Sequence, residues 1–193
     1  WRSALEQLAL MRGWRLVTYT KSSCPFSSYD VVRNGSISQS CNKWRESVSD
    51  IIKQERPDLL ILGQYLNPGR DADVLTAGYR KTWRELSEAG IDVRILQDTP
   101  TLPFLPDECL AWTPDECVID RNTDRSGAIE AAAAQGLRSI RLVDMGDFFC
   151  PNGRCPLVIG NLVVWRDRHH MTRTYSRALA PFLAERLGFD QKP

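Results

Sequence analysis

Arg56-Pro57-Asp58-Leu59-Leu60-Ile61-Leu62-Gly63 (RPDLLILG) is the stretch that decides the fold. Leu59 to Leu62 is a short continuous apolar run, the mark of a parallel strand buried on both faces. Pro57 disfavours helix in the residue before it, so it ends the helix predicted from Asn42 to Glu55. On the other side, Asp73 to Ala89 reads as a helix stopped by Gly90, and Ile91 to Leu96 as the next strand. A strand, a helix of this length and a second strand make a βαβ unit.

The same alternation continues outward. Ser3 to Arg12 (SALEQLALMR) reads as a helix with Leu5, Leu8 and Met11 on one face, and Gly13 can close it in the left-handed conformation. Trp14 to Tyr19 (WRLVTY) is predicted as a strand, followed by a loop from Cys24-Pro25 to Ser40. The Pro-rich segment Asp98 to Pro114 reads as a long surface loop without regular structure. Asp124 to Gln135 is an alanine-rich helix ended by Gly136, and Ser139 to Val143 a further strand. Thr172 to Leu187 is a final helix with Leu179, Phe182, Leu183 and Leu187 turned inward. Strands separated by helices predict an α/β domain with a mostly parallel sheet. At 193 residues the chain suits one domain, and no repeat or internal boundary interrupts residues 1–193.

Charge narrows the function classes. With 25 basic and 24 acidic residues the formal net charge is +1, so no electrostatic field points to nucleic acid or to anionic lipid. No run approaches the roughly 18 apolar residues that cross a bilayer, and the first residues do not read as a signal peptide. The export signal or anchor of such a domain is therefore expected outside residues 1–193.

Six cysteines fall as three local pairs: Cys24 with Cys41, Cys109 with Cys117, and Cys150 with Cys155. Sequence leaves the connectivity open, although each pair brackets a loop rich in Pro, Gly, Ser or Asn, as a short-range staple would. Metal binding is the alternative; it favours Cys knuckles with histidines nearby, and the only histidines are His169 and His170. Disulfides imply an oxidising compartment.

Ligands of open α/β sheets bind at the carboxyl ends of the strands, which draws attention to the loop Trp165-Arg166-Asp167-Arg168-His169-His170-Met171-Thr172 ahead of the last helix. Asp167 and His170 are three positions apart, a spacing that brings carboxylate and imidazole to one side of a turn. A carboxylate on one ring nitrogen fixes the tautomer and stabilises the imidazolium. The other nitrogen then serves as general base. The plainer reading is a capping aspartate beside two solvated histidines, but Thr172 already supplies an N-cap. Arg166 and Arg168 read as solvated loop cations or as guides for an anionic or sugar substrate. Trp44, Trp83 and Trp112 read as packing residues rather than sugar platforms.

The flanks of this motif carry a resemblance. Cys150-Pro151-Asn152-Gly153-Arg154-Cys155-Pro156, Val158-Ile159-Gly160-Asn161, Val164-Trp165-Arg166-Asp167 and His169-His170-Met171-Thr172 through Tyr175-Ser176-Arg177 form one block. With Thr20-Lys21-Ser22-Ser23-Cys24-Pro25, Cys41 to Trp44, Arg56-Pro57-Asp58-Leu59 and Asp98-Thr99-Pro100, it resembles the SGNH (GDSL-like) domains fused behind membrane acyltransferase-3 domains in bacterial cell-envelope O-acyltransferases. The resemblance implies a three-layer α/β/α, flavodoxin-like SGNH hydrolase fold. It makes Asp167 and His170 the triad acid and base, with His169 a neighbour.

In that family the nucleophile sits in a Gly-Asp-Ser-His element at the end of the first strand. No Gly-Asp-Ser occurs in residues 1–193, so strand and serine are expected upstream of Trp1, the strand lying between Trp14–Tyr19 and Leu59–Leu62. Ser3, Ser22 and Ser23 are the nearest substitutes. The family's oxyanion donors follow its second and third strands, which implies the side-chain amide of Gln64 or Asn67 and the backbone N–H of Ser22 or Ser23; loop polar groups are the plainer reading.

The resemblance implies no metal and no organic cofactor. The expected partners are an acyl donor, a glycan or glycolipid acceptor, and a covalently fused N-terminal membrane acyltransferase domain, with the SGNH domain on the extracytoplasmic side of the membrane. The expected reaction transfers an acyl group, acetyl above all, to a hydroxyl through a Ser-His-Asp mechanism. A secreted SGNH esterase and a non-catalytic glycan-binding or scaffolding module are the alternatives.

Overall fold

The computed structural model describes residues 1–67, 69–112, 116–121 and 126–189. In chain order the elements begin with α1 (Arg2–Arg12), the short ribbon of β1 (Val32–Arg33) and β2 (Ser36–Ile37), and α2 (Gln39–Glu55). There follow β3 (Leu60–Gly63), α3 (Ala72–Glu88), β4 (Val93–Leu96), α4 (Pro106–Trp112), β5 (Val118–Asp120), α5 (Ser126–Ala134) and β6 (Ile140–Val143). The last third holds α6 (Gly146–Phe149), a 3-10 turn (Pro151–Gly153), β7 (Arg154–Pro156), β8 (Val158–Ile159), β9 (Leu162–Val163), α7 (Arg173–Ala178) and α8 (Ala180–Arg186). No helix among the described residues is long and apolar enough to cross a membrane.

The chain forms two compact units, each discontinuous in sequence: residues 1–17, 99–124 and 143–193 in one, 18–98 and 125–142 in the other. The second unit is built on a parallel three-stranded sheet of order β3-β4-β6. All four residues of β4 are buried, as a central parallel strand requires. Its core gathers Val48 and Ile52 from α2, Leu75, Tyr79, Trp83 and Leu86 from α3, and Ile129 and Ala133 from α5 around Val93 and Ile95. At Gly78 the loop closed by Cys24 and Cys41 comes so near α3 that a Cβ would lie 2.8 Å from Ser27 Oγ and 2.9 Å from Tyr29.

In the first unit the packing partners of α1 are α7 and α8. β5 pairs antiparallel with β7, and β8 with β9. Disulfides join Cys24–Cys41, Cys109–Cys117 and Cys150–Cys155, and no described cysteine is free.

Several expectations need correction. Trp14 to Tyr19 has no strand pairing among the described residues, and Trp14, Leu16, Val17 and Tyr19 are exposed. Strand propensity in that segment is not enough without a partner edge. The segment Asp98 to Pro114 contains α4, because Pro106 stands at the first helical position, where its missing N–H costs nothing; Thr113 and Pro114 lie outside the described residues. So do Asp124 and Arg125, the first two residues of the alanine-rich helix predicted from Asp124 to Gln135. The final helix is broken into α7 and α8 at Leu179, where Pro181 interrupts the backbone ladder. The break turns Phe182 outward at 44% exposure while Leu179, Leu183 and Leu187 stay buried. In α1 the buried face is Ala4, Leu8 and Ala9, and Met11 points out.

Candidate active site

The loop from Arg166 to His170 is built inside the first unit. Trp165 bridges to Met171, and the Arg166 N–H donates to the His170 carbonyl at 2.8 Å, so the chain turns back on itself within five residues. Just outside the turn, the Thr172 N–H donates to the Val164 carbonyl at 2.8 Å. Thr172 also caps α7: its Oγ1 accepts the Tyr175 N–H at 3.1 Å and donates to the Val163 carbonyl at 2.6 Å. Below the turn, buried Trp165 packs at a tilt against Phe149 with ring centroids 5.4 Å apart, and Phe149 meets Trp1 and Tyr175 edge-on. A strap from Thr99 to Leu102 fixes the outer side. There the Thr99 hydroxyl donates to the His169 carbonyl at 3.2 Å and the Leu102 N–H to the Arg168 carbonyl at 2.7 Å.

Asp167 fills the inside of this turn. Its Oδ1 accepts the backbone N–H groups of His169 at 3.1 Å and His170 at 2.9 Å. His170 Nδ1 lies 3.0 Å from Oδ1 and 2.9 Å from Oδ2, and the Arg166 guanidinium reaches Oδ2 at 3.1 Å. Burial opposes ionisation, but the two backbone donors, the His170 ring and Arg166 outweigh it and hold this carboxyl well below the ordinary range. A permanently ionised carboxylate on Nδ1 selects the tautomer with the proton there, which leaves Nε2 as the available base. The His170 side chain is 55% exposed, so that nitrogen belongs to the surface of the unit. The His169 ring packs against that of His170, with centroids 4.1 Å apart and planes tilted by 44°. Burial and the neighbouring imidazole lower its pKa.

Asp167, His169 and His170 also form the described cluster able to hold a metal ion, with donor atoms within 4.8 Å of one another. The carboxylate there is already occupied by backbone, imidazole and guanidinium donors, which suits an orienting acceptor better than a ligand.

The other sequence candidates lie in the second unit. Gln64 follows β3 directly, and its Nε2 donates to Glu130 Oε1 at 3.2 Å. Asn67 is exposed, with its Oδ1 accepting the Gly69 N–H at 2.9 Å, a bond that engages the amide oxygen and not the nitrogen. Ser22 and Ser23 form an exposed turn whose carbonyls accept Arg33 Nη2 at 2.7 and 3.0 Å. Ser3 lies within α1. Arg166 is a solvated cation that also pairs with Asp167, its side chain 65% exposed. Trp83 is fully buried and Trp44 packs edge-on against Phe26, so both pack rather than present a sugar platform; the Trp112 side chain lies outside the described residues.

Sequence reading missed two contributors. The Thr99–Leu102 strap overlaps Asp98-Thr99-Pro100, which is part of the resemblance, but its bonds to the His170 turn, from the Thr99 hydroxyl and the Leu102 N–H, are long-range and leave no local pattern. Glu130 did leave one: it is the only charged residue in α5 (SGAIEAAAA), and it is fully buried.

The comparisons agree with this architecture. The family model of the SGNH domain (fused to AT3 domains) matches residues 1–185, and the chain belongs to that family. The periplasmic domain of a lipopolysaccharide acetyltransferase from Salmonella ser. Paratyphi A shares the fold. Its TM-score is 0.71 at 14% identity, over 97% of this chain and 77% of that one. Among curated proteins no sequence match is found.

Proposed function

We propose that the chain is the acyl-transferring SGNH domain of a cell-envelope O-acyltransferase and that Asp167 and His170 form its acid–base pair. The observation that carries this is the double commitment of Asp167, which accepts both the backbone and the Nδ1 of His170. A carboxylate serving only as a loop cap needs the first; the second orients a base.

In this reading a serine Oγ attacks the acyl carbonyl carbon while His170 Nε2 takes its proton. The bond to the donor's leaving oxygen breaks, and that oxygen receives the proton from His170. A glycan or glycolipid hydroxyl then attacks the acyl-serine, giving up its proton to His170, and the serine regains one as it leaves. Asp167 holds the imidazolium at each stage. Side-chain amide N–H groups of Gln64 and Asn67, with the backbone N–H of Ser22, are the proposed donors to the oxyanion.

The serine is proposed to come from a Gly-Asp-Ser-His strand that adds to β3. That edge supports it: β3 pairs only with β4 among the described residues, yet Leu60, Ile61 and Leu62 are all apolar, a composition that exposed edges avoid. The structural neighbour is the periplasmic domain of a lipopolysaccharide acetyltransferase, which supports acetyl as the group moved and a glycan or glycolipid as its acceptor here. Three disulfides support an extracytoplasmic site, and the family's AT3 fusion supports tethering through a membrane domain.

The complete protein, assayed for acetyl transfer to its envelope acceptor and for p-nitrophenyl acetate hydrolysis, tests this. His170→Ala should lower both by at least about a thousandfold. Full turnover in His170→Ala would remove the proposal, and hydrolysis without any transfer would replace it with an esterase.

A further inference from the structure

α5 carries one charged residue, Glu130, and buries it completely. Burying a carboxyl in an apolar helix face is costly unless it is hydrogen-bonded. The groups that meet it come from the tips of two adjacent parallel strands. Gln64, directly after β3, donates its Nε2–H to Oε1 at 3.2 Å. The Gln97 side chain and the Asp98 backbone, directly after β4, lie close enough to the carboxyl to favour its ionised form. Asp98 in turn accepts the Leu66 N–H at 2.8 Å, so two carboxyls stitch the crest of β3 to the crest of β4. Strand crests are where open α/β sheets bind ligands.

We propose that Glu130 is a positioning residue for the side-chain amide of Gln64. The inference rests on the reading of Gln64 as an oxyanion donor and deepens it. A glutamine amide can turn over at little cost, presenting either its carbonyl or its NH2 to a ligand. With the acid's proton on Oε2, Oε1 is a carbonyl oxygen that accepts only from the NH2, so one N–H is tied down, the second is left for a ligand, and the Gln64 carbonyl is turned aside. Oε2 has no partner among the described residues.

Charge favours the same arrangement. Burial first, then the charge of Asp98, push the Glu130 carboxyl up to about 8, against the pull of Gln64, Gln97 and the Asp98 backbone. Tyr79, itself pushed up by burial, is the other titratable group electrostatically coupled to it. A largely neutral acid at neutral pH orients the amide without setting a negative charge beside a developing oxyanion.

The test uses the complete protein with Q64A, E130L, E130Q and the double variant Q64A/E130L, measuring kcat and KM for p-nitrophenyl acetate across pH. E130L should lower kcat by about tenfold or more with KM within about twofold, and should cost nothing further in the Q64A background. E130Q should recover most of the kcat lost in E130L, and should lack the decline above pH 8 expected in the unsubstituted protein. If E130L does not fold, E130Q decides alone: a decline matching the unsubstituted protein overturns the proposal. Equal losses from E130L with and without Gln64 would show a purely structural role and overturn it too. Unimpaired Q64A removes both Gln64 and Glu130 from the mechanism while the His170 reading stands or falls on His170→Ala.

Discussion

Arg166 and His170 bind the same oxygen: the guanidinium Nη2 lies 3.1 Å from Asp167 Oδ2 and the imidazole Nδ1 2.9 Å from it. The carboxylate oxygen is therefore shared between a cation and the imidazole proposed to change charge during proton transfer. Arg166 is exposed, and exposed pairs contribute little to stability. Its consequence is orientation, because it closes the one side of the carboxylate that the backbone of the turn does not cover.

Asp167→Asn keeps an oxygen for the two backbone donors but places an amide where His170 Nδ1–H needs an acceptor. The ring is then held in the wrong tautomer, with Nε2 protonated. Esterase turnover should fall by about three to four orders of magnitude, and the thermal midpoint at neutral pH should fall modestly, because the amide lacks the charge that the donors of Asp167 stabilise. Asp167→Ala should lower the midpoint further, since the His169 and His170 N–H groups also lose their acceptor. Equal midpoints for both variants would show that the turn does not depend on the carboxylate.

Thr172→Ala removes the cap of α7 and the hydroxyl that donates to the Val163 carbonyl. Loss of a threonine cap typically costs about 1 kcal/mol, and the second bond places this site towards the upper end, near 2 kcal/mol. Urea unfolding should show a lower midpoint at unchanged slope. Because the cap follows the His170 turn by two residues, kcat should fall as well, but far less than in Asp167→Asn.

Periodicity and punctuation made most of the fold legible. Leu59 to Leu62 was legible as a strand of the parallel sheet, although β3 is a half-buried edge among the described residues rather than buried on both faces, and Gly13, Gly90 and Gly136 mark helix ends at positive φ. Trp14 to Tyr19 failed because pairing is a property of two segments and sequence shows one. α4 was hidden because prolines at a helix start look like those of a loop. The Asp167–His170 pair was legible because both partners lie in one short turn. Glu130 and Gln64 are 66 positions apart and meet only once β3 and α5 are assembled, so no local pattern announces them.

The three disulfides should not be equivalent. In the chain-entropy view a bridge stabilises by restricting the unfolded state, and the effect grows with the loop it closes. Cys24–Cys41 spans 17 positions and Cys150–Cys155 spans 5, which gives about 3 and about 2 kcal/mol. Paired Cys→Ala replacements, compared by denaturant midpoint, should follow that order. Removing Cys150–Cys155 should also lower turnover, because Phe149, the residue just before Cys150, packs under Trp165 at the base of the His170 turn. A larger stability loss at Cys150–Cys155 would mean that native packing, rather than loop closure, sets the scale.

Glu130 gives the fold a pH dependence of definite sign. Its carboxyl titrates near the ordinary 4.5 when unfolded and at about 8 in the folded chain, so between those values the folded state holds the proton more tightly. Stability tied to this group is complete below 4.5 and is lost as pH rises through 8. Asp167 acts oppositely: held low by its donors, it stabilises above the unfolded carboxylate range and loses that effect only in strong acid. Thermal unfolding from pH 5 to pH 9 should therefore show a falling midpoint in the unsubstituted chain and a flatter profile in Glu130→Gln. The two curves should converge at the acid end and separate at the alkaline end, with Glu130→Gln the more stable there. A separation confined to the acid end would mean that Glu130 is ionised in the folded chain at neutral pH, and its buried contacts with Gln64, Gln97 and the Asp98 backbone would then have to be strong enough to reverse the effect of burial.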